Sequence, residues 1–169
     1  MSANDSIDLS GSADELFKKY LKVYKEKDYV NAVVYLQKAA DMGHKYAPSI
    51  LGQLYFHGDK VTQDYAKAIL FITKAVAQGN FVGHLYLGRC YYEGKGVAKD
   101  IAKANELFEK VAKSDDEAAL MLLSDWYCDG DGAPKEITKA REVLLKLVAQ
   151  GPEPIQELAR EKLDELESS

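Results

Sequence analysis

GHLYLGRCYYEGKGVAKDIAKA, residues 83–104, is the clearest indication of how this chain folds. An apolar segment is followed by a loop with Gly94 and Gly96, and then by Asp100 at the start of a second segment. Glycines permit the positive φ angles that end a helix. A carboxylate at a helix start can cap free N–H groups and meets the positive end of the helix dipole. The stretch therefore predicts a helical hairpin.

The same pattern returns every 36 residues along the chain. Residues 47–82, 83–118 and 119–154, aligned at this offset, share six columns of three-way identity, far more than ordinary residue usage gives by chance. A fixed period of this length indicates a solenoid of stacked units. The identical columns are Leu51, Leu87 and Leu123; Tyr55, Tyr91 and Tyr127; Gly58, Gly94 and Gly130; Lys67, Lys103 and Lys139; Ala68, Ala104 and Ala140; Lys74, Lys110 and Lys146.

The columns also predict which face of each first helix is buried. At 100° per residue, Ala47, Leu51, Gly52 and Tyr55 fall on one arc of about 140°. Glycine inside a helix costs about 1 kcal/mol relative to alanine, so Gly52 and Gly88 predict that a partner helix approaches closely there. At the far ends of the second helices, Gly79 and Gly151 are placed to act as C-terminal caps.

The pattern Ala-x-x-x-Leu-Gly-x-x-Tyr-x-x-Gly-x-Gly-Val-x-x-Asp-x-x-Lys-Ala resembles the Sel-one-like repeat, a relative of the tetratricopeptide repeat. Residues 83–118 match it almost in full, whereas Lys60, Ser124 and Ala133 are mild departures in the other two units. Residues 13–43 resemble a degenerate first hairpin without the glycine loop. The resemblance implies that the chain holds protein partners on a curved surface.

The expected fold is all-α: an α-solenoid (α-α superhelix) of about four helix-turn-helix repeats with a C-terminal capping helix. The apolar spacing of Ile155, Leu158, Ala159, Leu163 and Leu166 predicts the capping helix, which covers the open end of a solenoid. Residues 1–11 are expected to be disordered and residues 12–169 to form a single repeat domain. Its predicted parts are a degenerate hairpin at 12–46, repeats at 47–82, 83–118 and 119–151, and the capping helix at 152–169.

The composition excludes several classes of function and indicates a compartment. The net charge of −5 argues against nucleic-acid binding and against acidic membrane surfaces, because both require basic residues. No apolar run approaches the length of about 18 residues that spans a membrane. The opening residues lack the basic and apolar regions of a signal peptide. Two cysteines in 169 residues indicate a reducing compartment, so we expect a cytoplasmic protein.

Catalytic or metal-binding residues are not expected. His44, His57 and His84 fall at helix ends or loops without suitably spaced ligand partners, which predicts surface polar residues. Cys90 is predicted to be a core residue and Cys128 to be partly exposed. We therefore expect no cofactor, no metal and no enzymatic activity.

Two loops invite ligand interpretations. Residues 125–132, DWYCDGDG, cluster carboxylates around glycines, but their spacing does not fit a calcium-binding EF-hand loop. Residues 94–97, GKGV, lack the Gly-Lys-Ser/Thr of a phosphate-binding loop. The repeat pattern accounts for the glycines in both.

The same helical wheel predicts a partner-binding surface opposite the buried arc. In tetratricopeptide-like solenoids the first helices line the concave groove, where a peptide or partner protein would bind noncovalently. Two questions stay open: whether Phe56 and Tyr92 instead pack against the adjacent hairpin, and whether Tyr20 and Tyr24 extend the groove or fill the core. The predicted floor comprises Ser49, Gln53, Phe56, Leu85, Arg89, Tyr92, Met121, Asp125 and Cys128.

Two functional hypotheses follow. The first is an adaptor or scaffold that binds a protein or peptide and is itself a monomer, with self-association through the solenoid ends left open. The alternative is a dedicated immunity or inhibitor protein that occludes one cognate enzyme or toxin. A neighbouring toxin-like reading frame would distinguish the second hypothesis from the first.

Overall fold

The computed structural model describes residues 7–129 and 136–168, and within these ranges the chain forms nine α-helices and no strands. The all-α solenoid architecture expected from the repeat is confirmed. Consecutive helices pair as hairpins, and the last helix packs on the one before it. The helices are α1 (Ala13–Lys25), α2 (Tyr29–Asp41), α3 (Ala47–His57), α4 (Tyr65–Ala77), α5 (Phe81–Glu93), α6 (Ile101–Ala112), α7 (Glu117–Asp129), α8 (Ile137–Gln150) and α9 (Glu153–Glu167).

The hairpins belong to two compact units, residues 1–80 (the N-terminal unit) and residues 81–169 (the C-terminal unit). The first contains the hairpins α1–α2 and α3–α4, and its core is built around Leu16, Leu36 and Leu51. The second contains α5–α6, α7–α8 and the terminal α9, with Phe108 and Leu123 in its core. The expectation of one repeat domain over residues 12–169 stays a prediction.

The glycine column allows the two helices of a hairpin to touch. A Cβ added to Gly52 would lie 2.6 Å from Cγ1 of Ile72, and one added to Gly88 would lie 2.5 Å from the ring of Phe108. Both distances are far below van der Waals contact. The close approach predicted from the sequence is therefore confirmed at both positions.

Each regular repeat closes its hairpin with the same backbone hydrogen bond. The residue before the second helix donates its N–H to the carbonyl of the repeat tyrosine, and the repeat lysine lies over that tyrosine ring. The N···O distances are 3.0 Å for Asp64 to Tyr55, 2.9 Å for Asp100 to Tyr91 and 2.9 Å for Glu136 to Tyr127. The Nζ-to-centroid distances are 5.2 Å for Lys67, 4.3 Å for Lys103 and 5.7 Å for Lys139. The tyrosine and lysine columns thus form one cation–π contact in each repeat.

The acidic residues that begin the second helices differ in how they cap. Asp64 and Asp100 each accept the N–H of the residue three positions on, at 3.0 Å, as predicted. The Glu136 side chain makes no such bond, so the cap predicted there is wrong. Its longer side chain reaches the Lys139 ammonium instead, at 3.1 Å.

The last lysine column joins successive hairpins. Lys146 Nζ donates to the carbonyls of Ala112 and Ser114, at 3.1 and 2.5 Å, where α6 ends. Lys74 Nζ lies 3.1 Å from the Asp41 carboxylate at the end of α2. A cation near the C-terminus of a helix satisfies its unpaired carbonyls and opposes its dipole. This column therefore stabilises stacking within each unit.

The helices begin and end close to the predicted repeat boundaries, which stay a prediction. The third and fourth hairpins begin at Phe81 and Glu117, two residues before the predicted starts at 83 and 119. Gly79 has the left-handed φ of +74° expected of a cap. Gly151 is the C-terminal cap of α8, as predicted, and donates its N–H to the Leu147 carbonyl at 2.9 Å. Its backbone is extended, with φ of −72° and ψ of 163°, because the following Pro152 favours extended backbone.

Some predictions lie outside the described residues. These are the loop glycines Gly130 and Gly132, the departure at Ala133, and residues 130–132 of the calcium alternative at residues 125–132. The disorder is predicted for residues 1–11, and of these residues 1–6 also lie outside the described part of the chain. Residues 7–11 are described, and there Asp8 accepts a 2.7 Å hydrogen bond from Lys19.

Candidate functional site

A cavity of about 260 Å³ lies between the two first helices of the N-terminal unit, α1 and α3. Ile50 and Leu54 supply its apolar surface, and Gln53, His57 and Asp59 supply polar groups. Tyr20 and Tyr24 complete the lining from α1. Apolar contact area combined with a few polar groups is the usual chemistry of a recognition site.

A run of aromatic rings follows α1 beside this cavity. The ring centroids of Phe17 and Tyr20 are 5.4 Å apart, those of Tyr20 and Tyr24 5.6 Å, and those of Tyr24 and Tyr29 5.3 Å. These separations are typical of favourable aromatic pairs. Burial raises the pKa of Tyr20, and the neighbouring Tyr24 adds to the shift. Tyr20 was expected either to extend the groove or to fill the core. In the structure it belongs to the core and also lines the cavity.

The predicted floor residues of the N-terminal unit separate into accessible and buried groups. Gln53 is half-buried, lines the cavity and donates its side-chain amide to the Ser49 carbonyl at 3.3 Å. Ser49 itself is buried and donates its hydroxyl to the Tyr46 carbonyl at 2.9 Å. Phe56 is only 2% exposed and packs edge-on against Tyr65 of its own hairpin. Gln53 is therefore the predicted residue that the cavity presents.

In the C-terminal unit the predicted residues separate in the same way. Leu85 is 2% exposed and belongs to the core. Tyr92 is half-buried, with its ring 5.2 Å from Trp126 of the next hairpin, so the packing alternative describes its contact. Asp125 Oδ1 lies 2.5 Å from Lys162 Nζ of the terminal helix. The half-buried members on α7 are Met121, Asp125 and Cys128.

Arg89 is part of a buried electrostatic network. It is 8% exposed, its Nε lies 3.5 Å from Glu93 Oε1, and its guanidinium lies 5.5 Å from the centre of the Tyr86 ring. Lys95 also contacts the Glu93 carboxylate. A charge engaged in this way is less available to a partner than the sequence pattern suggests. Burial raises the pKa of Tyr86.

His44 corrects the prediction of a surface polar residue. It is buried, and its Nδ1 accepts the N–H groups of Tyr46 and Ala47, both at 3.2 Å, at the start of α3. Burial lowers the pKa of this imidazole, and the nearby Asp14 opposes the shift. Asp116 lies in the same repeat column as His44, two repeats further on, and caps α7 by accepting the Ala119 N–H at 2.9 Å. The sequence signal for a capping role of His44 was its repeat column, which also contains Asn80 and Asp116, because asparagine and aspartate are strong capping residues.

The two cysteines lie where the sequence placed them. Cys90 is fully buried, and burial raises the pKa of its thiol to about 12. Cys128 is partly exposed. Across residues 7–129 and 136–168, no group of His, Cys, Asp and Glu side chains is arranged to hold a metal ion.

Hairpins of constant length, with caps, glycines and lysines at equivalent positions, define a helical repeat protein. The profile of the Sel1 repeat matches residues 23–44, 49–80, 82–116 and 117–151. This chain belongs to the Sel1 repeat family. The resemblance noted in the sequence is thereby confirmed.

Two solved structures share this fold. One is a protective antigen present in uropathogenic Escherichia coli strains that displays an SLR fold; it is 30% identical over 84% of this chain and 31% of its own, with a TM-score of 0.64. The other is a Sel1 repeat protein from Oxalobacter formigenes, 25% identical over 86% of this chain and 62% of its own, with a TM-score of 0.63. This chain thus spans less than two thirds of either relative. None of the curated proteins matches it significantly.

A bilayer-crossing helix would have to be longer and more apolar than any helix found among the described residues.

Proposed function

We propose that this chain is a noncatalytic protein-interaction module that captures a peptide or partner protein on its first-helix surface, the accessible face of the first helices of the hairpins. Members of the Sel1 repeat family generally serve as protein-interaction modules. The observation that carries the proposal is the cavity between α1 and α3, where aromatic, aliphatic and polar side chains converge.

The size of this cavity favours a peptide side chain over a metabolite. Its volume of about 260 Å³ lies below the range of about 300–1,000 Å³ that small-molecule sites occupy. An apolar partner side chain would contact Ile50 and Leu54, while Gln53 and His57 orient the peptide backbone. Tyrosine is among the residue types enriched in binding hot spots, so Tyr20 and Tyr24 are the proposed aromatic anchors.

On the C-terminal unit the proposal extends to the partly exposed members of the predicted floor. Tyr92 and Met121 offer contact area, and Asp125 offers a carboxylate that a partner cation could share with Lys162. In the same unit, Leu85 belongs to the core and Arg89 pairs with Glu93. In this proposal the chain is a monomeric adaptor or scaffold.

A cytoplasmic location is also part of the proposal. Cys90 and Cys128 are both thiols rather than halves of a disulfide, which suits a reducing compartment.

The test is an affinity capture from the source organism's lysate with the intact chain and two variants. Gln53→Lys combined with His57→Ala changes the cavity rim at positions that make little core contact. Gln37→Lys, a matched control, introduces the same charge on α2, outside the cavity. We expect a stoichiometric partner that the rim variant loses and the control retains. Retention by both variants would move binding to another surface, and the absence of any partner would overturn the interaction proposal.

A further inference from the structure

A lysine side chain lies at the rim of the cavity between α1 and α3. Asp59 lines this cavity, and the ammonium of the next residue, Lys60, lies 2.6 Å from Asp59 Oδ1. The same ammonium lies 5.5 Å from the centre of the Tyr29 ring, at the start of α2. A carboxylate and an aromatic ring thus hold one cation beside the cavity.

The aromatic part of this arrangement continues into the cavity. Tyr24, which lines the cavity, packs edge-on against Tyr29 with 5.3 Å between ring centroids. Asp59 raises the pKa of Lys60, and the phenols of Tyr29 and Tyr24 add to the shift. Tyr24, Tyr29 and Asp59, the cation site, therefore act on one ammonium from both hairpins of the N-terminal unit.

The fold does not require a lysine at this position. In the other two regular repeats the same column holds Gly96 and Gly132. Gly96 has a φ of +74°, whereas Lys60 has a φ of +64°, which residues with a Cβ rarely adopt. Lys60 thus keeps an unfavourable backbone where the repeat otherwise has glycine. Outliers of this kind cluster at binding and switch sites.

The ion pair itself does not explain the lysine either. The side chains of Lys60 and Asp59 are 39% and 56% exposed, so water screens their attraction and the pair adds little to folding. Tyr24 and Tyr29 are half-buried, so both residues keep accessible surface. The cation site is therefore open to a charged group from outside the chain.

We propose that the cation site binds a lysine side chain of the partner segment, and that Lys60 occupies this site in the free chain. The inference rests on the proposed function, because it names the chemistry that a partner places beside the cavity. An ammonium is a compact charge that one carboxylate can pair, and it is attracted to aromatic faces. The stem of the partner lysine would follow the ring of Tyr24, as long basic side chains do on apolar surfaces.

Occupation by Lys60 makes the site competitive. A partner lysine can pair with Asp59 only in the fraction of molecules in which the Lys60 ammonium has left it, and the apparent affinity falls by that fraction. The apolar side chain that contacts Ile50 and Leu54 requires no such displacement. The cation site therefore selects a segment in which a lysine lies next to an apolar residue.

The test is a titration of the intact, nitrogen-15-labelled chain with the peptide Gly-Leu-Lys-Gly, acetylated and amidated so that lysine carries its only charge. The neutral comparison is Gly-Leu-Gln-Gly with the same end groups. We expect both peptides to shift the amides of Gln53 and Leu54, and only the lysine peptide to shift the amide of Asp59.

Two variants measure the role of each charge. Lys60→Gly should favour Gly-Leu-Lys-Gly over Gly-Leu-Gln-Gly by about threefold, because an exposed ion pair and a cation–π contact then form without competition. The native chain should show a smaller preference. Asp59→Asn, introduced into Lys60→Gly, should remove most of the preference for lysine.

The matched control is Lys27→Gly. Lys27 also has a left-handed φ, of +63°, but its ammonium makes no ion pair or cation–π contact with the residues that the structure describes. The control removes the same charge and relieves the same backbone conformation. It should leave the binding of both peptides as it is in the native chain.

Equal binding of the two peptides to Lys60→Gly would overturn the cation site and leave the cavity as a site for apolar side chains. An equal gain from Lys27→Gly would overturn it too. A lower midpoint of urea unfolding in Lys60→Gly, with no gain in lysine binding, would make Lys60 a structural link between hairpins. If neither peptide binds at millimolar concentration, the cation site is wrong, whereas the lysate capture still decides the proposed function. Retained chemical-shift dispersion in every variant establishes that the fold is intact.

Discussion

The imidazole of His44 stacks on the ring of Phe17, with 4.0 Å between ring centroids and 17° between planes, while its Nδ1 caps helix α3. A ring nitrogen can accept these hydrogen bonds only when the imidazole is neutral at that position. The cap of α3, which lies against Phe17 of α1, thus depends on the protonation state of the His44 side chain.

We predict that acid weakens this cap. Burial lowers the pKa of His44 below its ordinary value of 6.5 in the folded chain, although Asp14 opposes the shift. Its contribution to the free energy of unfolding is therefore complete above pH 6.5 and is lost as the pH falls through the folded-state pKa. Urea unfolding from pH 7.5 to 5.5 measures this loss.

The matched variant is His44→Asn, which supplies a capping oxygen that does not titrate and matches Asn80 in the same column. It should keep most of the stability at pH 7.5 and lose less of it on acidification than the native chain. His44→Ala should cost about 1 kcal/mol at pH 7.5, the usual value of a cap. An unchanged acid sensitivity in His44→Asn would show that other groups cause it.

Replacement of Gly88 by alanine should be costly. The new Cβ would lie 2.5 Å from the Phe108 ring, and overpacking of this kind typically costs about 1–3 kcal/mol. Phe108→Leu should recover part of the loss in a double-mutant cycle, because Ser124 in the same column tolerates a side chain opposite Leu144. Thermal or urea unfolding of the four proteins gives the coupling, and strictly additive costs would contradict the contact.

Removal of the Lys146 ammonium should loosen the stacking of α7–α8 on α5–α6. Lys146→Met removes the hydrogen bonds that the ammonium donates to two carbonyls at the end of α6. Hydrogen bonds to charged groups are worth about 1.5–3 kcal/mol. Lys113→Met, the control, removes an exposed pair worth less than about 1 kcal/mol. Chemical unfolding compares them, and equal costs would rule out the capping role.

The two thiols should react at very different rates. Burial raises the pKa of Cys90 to about 12, so almost none of it is thiolate at pH 8, whereas Cys128 is partly exposed. A thiol-disulfide reagent should modify one thiol quickly in the folded chain and the second only on unfolding. Cys128→Ser should abolish the fast phase. Two equal phases in the folded native chain would contradict the burial of Cys90.

The helical hairpins were predictable because their determinants are local and repeated. Gly52 and Gly88 each indicate one close contact within a hairpin. The tyrosine column and the column of Lys67, Lys103 and Lys139 form their contact in all three regular repeats. Burial of the floor positions was less predictable. A helical wheel places Phe56 opposite the core arc, but it does not contain Tyr65 of the next helix, whose ring packs against Phe56. Arg89 is also buried, although its partner Glu93 lies one turn further along the same helix.

The sites themselves require packing information. The cavity at Gln53 needs Tyr20 and Tyr24 from a hairpin with no exact repeat register. These residues form no motif along the chain, so only the folded arrangement brings their side chains together.

Hydrogen exchange of the chain with and without its captured partner tests the central claim most directly. If the first helices bind the partner, the amides of α1 and α3 that surround Tyr24 and Gln53 should gain protection, while those of α2 and α4 exchange as before. Protection confined to the second helices, or none in the N-terminal unit at saturating partner, would contradict binding on the first-helix surface.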